Sequence, residues 1–102
     1  MKTDRELLEL AARAAGYREA GINKPYTDGL LENWNPLNDD GNALRLAVRL
    51  SLLVDVTAFS VTAMVAMVNG VISAKEKHDG DPYAATRRAI TRAAAAIGEV
   101  KK

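Results

Sequence analysis

Cysteine is absent from this chain of 102 residues, so no disulfide framework, thiolate nucleophile or cysteine-ligated zinc can be built from it. Histidine occurs once, as His78, and one imidazole beside Asp79 and Asp81 falls short of a complete metal-ligand pattern. An excess of one charge sign is also missing. The 14 Lys and Arg against 13 Asp and Glu leave a net charge of +1, which supplies no global field toward nucleic acid or an anionic membrane. There is no glycine-rich phosphate cradle and no recognisable nucleophile setting around any serine or lysine. Long apolar runs are lacking too. The longest, Val56 to Val68, contains Thr57, Ser60 and Thr62 and stops well short of the about 20 residues that a membrane span needs. The N-terminus, Met1-Lys2-Thr3-Asp4-Arg5-Glu6, mixes charge signs and is unlike a signal peptide. The expectation is a soluble, cytoplasmic protein.

What is present is enough apolar residue, 48%, to form the core of one domain, although much of it is alanine with little area per side chain. Leu7, Leu8, Leu10, Ala11, Ala14 and Ala15 fall on one side of a helix read over Thr3–Ala15, with Arg5, Glu6, Glu9 and Arg13 opposite. Thr3 and Glu6 have capping-box spacing, and Gly16 stops the helix. The next stretch is irregular. Thr27-Asp28-Gly29 signals a turn, Pro25 argues against a central strand, and an edge hairpin or a single strand at Leu30–Asn33 is the reading.

Asn38, Asp39 and Asp40 place capping oxygens and negative charge at the start of a second helix. Leu44, Ala47, Val48 and Leu50, flanked by Ala43 and Leu46, make its broad apolar face, with Arg45 and Arg49 opposite. From Leu52 to Val68 both alternating faces are apolar, which predicts a sheet covered on both sides. Asn69-Gly70 predicts a tight hairpin joining Ser60–Val68 to Val71–Lys77. Asp81 as N-cap and Pro82 at the first helical position start a third helix. Its buried stripe is Thr86, Ile90, Ala93, Ala94 and Ile97, with Arg87, Arg88, Thr91 and Arg92 outward and Gly98 at its end.

Two blocks carry a resemblance. The run from Trp34 through Asn35-Pro36-Leu37-Asn38-Asp39-Asp40 to Leu50, and the run from Asp81-Pro82-Tyr83 to Ile97, resemble the phage ABA sandwich domain, a family of bacteriophage and prophage proteins. Asn38 and Asn42 depart from it, standing where the family is more often acidic or hydroxylated; either choice keeps the cap. The resemblance implies one domain, an alpha-beta-alpha sandwich, and a bacterial host cytoplasm. It is silent on activity.

The fold expected is α+β, three helices layered on a small, mainly antiparallel sheet. The site expectations follow from chemistry. Asp39 and Asp40 form the nearest thing to a carboxylate pair, but adjacent acids at a helix start are explained by capping. His78 reads as a solvated loop residue. Trp34 packs its turn onto the core. No catalytic, metal or cofactor residues are assigned. Arg45 and Arg49 on helix 2, with Arg87, Arg88 and Arg92 on helix 3, are the candidates for contact with a partner. The favoured function is a non-catalytic phage or prophage accessory protein that binds a host or phage protein, with homo-oligomerisation left open. The alternative is a nucleic-acid-binding module using the same arginines.

Overall fold

The computed structural model describes residues 2–17 and 34–100. Its elements run α1 (Asp4–Ala14), α2 (Asp40–Arg49), β1 (Leu53–Val56), β2 (Ser60–Met67), β3 (Gly70–Lys77) and α3 (Pro82–Val100). The strands form an antiparallel sheet in the order β1-β2-β3. The α+β class, the three helices and the antiparallel meander are as expected. The hairpin or strand read at residues 22–33 lies outside the described residues. No helix among the described residues is long and apolar enough to cross a membrane.

Helix starts follow the capping chemistry. Thr3 Oγ1 accepts from the Glu6 amide at 3.1 Å while Glu6 Oε1 accepts from the Thr3 amide at 2.9 Å, closing the capping box of α1. Hydrogen bonding to the carboxylate from the Thr3 amide, and then from the Thr3 side chain, holds the Glu6 carboxyl below the usual carboxylate range. Asp39 accepts from the Asn42 amide at 2.8 Å to start α2. Asp81 Oδ1 accepts from the Tyr83 and Ala84 amides at 3.1 and 3.0 Å to start α3, with Pro82 at its first position.

The layers are organised around α3. It packs against the sheet on one side, while α1 and α2 pack against α3 rather than on the strands. A helix in that position must present small or apolar surface around most of its circumference, and α3 does: Ala85, Ala89, Ile90, Thr91, Ala93, Ala94, Ala95, Ile97 and Gly98 are all buried. Thr91, expected outward, is fully buried and sends its hydroxyl to the Arg87 carbonyl at 2.8 Å, so its polar group is satisfied inside the helix. Gly98, expected to end the helix, lies within it. A Cβ at that position would stand 2.0 Å from the Leu10 carbonyl oxygen of α1. Glycine is there because the two backbones meet.

The covering of the sheet also differs from expectation. Val61, Ala63 and Ala74 face α3 and are buried. On the opposite face Thr62 and Met64 are half-buried and Ala66 is exposed, while Leu53 and Val71 are 62% and 68% exposed. Among the described residues, helices therefore cover one face of the sheet. The apolar run had suggested both. The β2–β3 turn shifts by one residue as well. Met67 pairs with Gly70, so the loop residues are Val68 and Asn69, and the positive φ, +142°, belongs to Gly70 at the start of β3. The same two strands pair antiparallel, but the one-residue loop shift moves their register by two residues, which leaves each side chain on its expected face. Gly70 still supplies the conformation that a side chain disfavours.

Two outcomes check this arrangement. Gly98→Ala should destabilise although helix propensity alone would favour it by about 1 kcal/mol, because the added methyl meets backbone that cannot rotate away. The net loss should reach about 1–3 kcal/mol in a denaturant titration, and a raised midpoint would show that α1 and α3 do not meet there. In the sheet, Val61→Asp should cost several times more than Ala66→Asp, which should stay within about 0.5 kcal/mol of the parent. Equal losses would mean that the outer face is covered.

Candidate functional site

The acids and the histidine singled out in the sequence have local tasks. Asp39 caps α2, and Asp40 takes Arg87 Nη1 at 2.6 Å. His78 ends the β3 hairpin arm: its amide donates to the Phe59 carbonyl at 3.1 Å and its carbonyl accepts from the Asp81 amide at 2.9 Å. Its ring is half-buried rather than solvated, with Nε2 covered and without a hydrogen-bond partner among the described residues. No cluster of three or more metal-ligating side chains occurs among the described residues.

The five arginines do not share one face. Arg49 leaves the outer side of α2, donates from Nε to the Ala15 carbonyl at the C-terminus of α1, and stacks on Tyr17 with its guanidinium carbon 5.4 Å from the ring centroid. There it meets the negative end of the helix dipole. Tyr17 in turn packs edge-on against Trp34 at 5.5 Å, and Trp34 is buried in the core, as expected. Arg87 reaches from α3 to the Leu37 carbonyl at 2.9 Å and to Asp40, holding the turn before α2. Arg88 pairs with Asp4 at 3.2 Å, and Arg92 with Glu76 and the Lys75 carbonyl. Arg45 stays on its own helix, bonded to Asn42 Oδ1 at 2.8 Å. Four of the five thus tie one element to another, and 19% exposure of the Arg87 side chain makes it the most enclosed of the three arginines of α3.

The sequence reading missed an apolar groove. It has a volume of about 580 Å³ and lies between α2, β1 and the first turns of α3. Ala43, Leu44 and Ala47 form one wall, Val54 and Val56 the other, and Ile90 lines it from α3. Leu44 and Val48, expected in the core, are 64% and 71% exposed. The arc of α2 that faces α3 is Ala43, Leu46 and Ala47, so the other half of its apolar face projects beyond its support. Val56, Phe59 and Tyr83 add exposures of 54%, 83% and 69% at neighbouring positions. A second groove of similar volume, between the start of α1, β3 and α3, is edged by the ion pairs Lys2–Glu99 at 2.7 Å and Arg92–Glu76. Its cations already have anionic neighbours. The cue to the first groove was the width of the apolar arc on α2, which exceeds what one neighbouring helix can cover.

Comparison with protein families, with characterised proteins and with solved structures finds no match to this chain.

Arg87→Met keeps much of the stem's packing and removes the charge and both hydrogen bonds. It leaves the Leu37 carbonyl without its donor, and a loss of about 1–3 kcal/mol is expected in thermal or denaturant unfolding. Arg45→Gln, which disturbs one surface bond on a single helix, should change stability by less than about 0.5 kcal/mol. If the two losses are equal, the Arg87 tether carries no weight in the fold.

Proposed function

We propose that the chain is a non-catalytic accessory protein that works by binding another protein through the apolar groove between α2, β1 and α3. The observation that carries this reading is the exposed apolar rim, Leu44, Val56 and Tyr83, around a cavity large enough to seat side chains. Soluble proteins keep contiguous apolar patches small, and an open one bordered by polar groups is a common mark of a binding surface. The resemblance of Trp34–Leu50 and Asp81–Ile97 to phage ABA sandwich proteins supports a phage or prophage setting, with a host or phage protein as the partner. The alternative, a nucleic-acid module built on Arg45, Arg49, Arg87, Arg88 and Arg92, draws less support from guanidiniums already engaged with Asp40, Asp4, Glu76 and backbone carbonyls.

Leu44→Asp together with Tyr83→Ala separates the readings. Both sites are exposed, so the unfolding midpoint should move by no more than about 1 kcal/mol in total. Association with a protein partner, followed by crosslinking and titration, should be lost in this variant and retained in Arg45→Gln. Retention of an oligonucleotide at about 150 mM salt, falling steeply as salt rises, would favour the nucleic-acid reading instead.

A further inference from the structure

The groove runs beside an open sheet edge. Among the described residues β1 is an edge strand, and its pairing with β2 fixes which backbone groups are spent. The Thr57 amide bonds the Ser60 carbonyl at 2.8 Å, and the register pairs Asp55 with Thr62 and Leu53 with Met64. Hydrogen-bonded pairs alternate along an antiparallel ladder, so Asp55 and Leu53 face β2 with their backbone groups while Val54 and Val56 aim theirs at the open edge. No described residue meets those groups. The same two valines line the groove with their side chains, and Leu44 of α2 stands across from them. Among the described residues the sheet stops at β1.

We infer that the groove is completed by a strand added to β1 from a partner protein, an extended segment of the pattern apolar–basic–apolar. This rests on the protein-binding reading above and specifies its chemistry. A strand beside β1 would exchange main-chain hydrogen bonds with Val54 and Val56 and turn the side chains opposite them toward Leu44 and Ala47. Successive side chains alternate, so the residue opposite Asp55 lies on the outer face beside that exposed carboxylate. Lysine or arginine suits that position. Across the sheet on that outer face Asp55 is followed by Thr62 on β2 and Lys75 on β3, so its carboxylate is the acid that stands at the edge.

A second copy of this chain fits less well. Pairing β1 with its own copy so that Val54 and Val56 both bond centres the two-fold on Asp55. That sets two carboxylates against each other in the closely spaced, non-hydrogen-bonded site, where like charges destabilise.

The test uses a capped seven-residue peptide, Ser-Thr-Val-Lys-Val-Thr-Ser, titrated to millimolar concentration into isotopically labelled protein and followed by NMR and amide exchange. The Val54 and Val56 amides should become protected. The analogue with glutamate in place of lysine should bind about three- to tenfold more weakly, and the analogue N-methylated along one edge should not protect these amides. Shifts confined to Leu44, Ile90 and Tyr83, with the two amides still exchanging freely, would overturn strand addition and leave groove binding standing. Absence of any shift overturns the inference as well, while the wider reading still stands or falls on the Leu44→Asp, Tyr83→Ala variant. Protection of Val54 and Val56 in the free protein, rising with its own concentration, would assign the edge to a second copy instead.

Discussion

The close approach of α1 and α3 at Gly98 and Leu10 sets the terms for the rest of the molecule. A Cβ on Gly98 would overlap the Leu10 carbonyl, so the two helices touch through backbone. Leu7 and Leu10 of α1 cluster there with Ala95 of α3, and the main core adjoining them is rich in alanine: Ala11, Ala12 and Ala15 on the α1 side, Ala89, Ala93 and Ala94 on α3. Small side chains bury little area each, at about 0.8 kcal/mol per methylene. They compensate through proximity, because dispersion falls off steeply with distance and the backbone atoms themselves come into contact. The alanine richness that looks like a weakness in composition is what permits the central helix to be covered on several sides.

With α3 in the middle, side chains at the margins have to hold the outer pieces in place. Arginine does this repeatedly, since a long stem and a planar fork can reach a carbonyl or carboxylate on a neighbouring element while the aliphatic part packs. Arg49 fastens α2 to the end of α1, and Arg87 fastens the turn before α2 to α3. The placement of α2 follows. It leans on α3 with Ala43, Leu46 and Ala47, which leaves Leu44 and Val48 beyond the support and opens the groove next to β1. The candidate site is a consequence of where the central helix ends its coverage.

Much of the local structure was legible. Thr3 with Glu6, Asp39, and Asp81 with Pro82 announce helix starts because capping is local chemistry between neighbours in sequence. Gly70 announces a turn for the same reason, though the loop falls one residue earlier than the Asn-Gly pair suggested. What could not be read were features set by distant parts of the chain. Gly98 looks like a helix stop until Leu10 is placed beside it. Thr91 looks like a surface residue until α3 is known to be enclosed. The arginine spacing on α2 and α3 implies exposed faces, but Asp4, Asp40, Glu76 and three backbone carbonyls are brought to those guanidiniums only by tertiary packing. Both-sided apolarity of β2 was a sound cue with an incomplete answer, because half-buried and edge positions tolerate alanine, methionine and valine.

Amide hydrogen exchange under native conditions tests the central position of α3 most directly. If α3 is the shared support, its amides from Ala89 to Ala95 should be the slowest in the chain and exchange only through global unfolding, with Leu10–Ala14 of α1 close behind. The open-edge amides of β1 should exchange faster by orders of magnitude. A sheet that stays protected while α3 and α1 exchange independently through local opening would contradict the account.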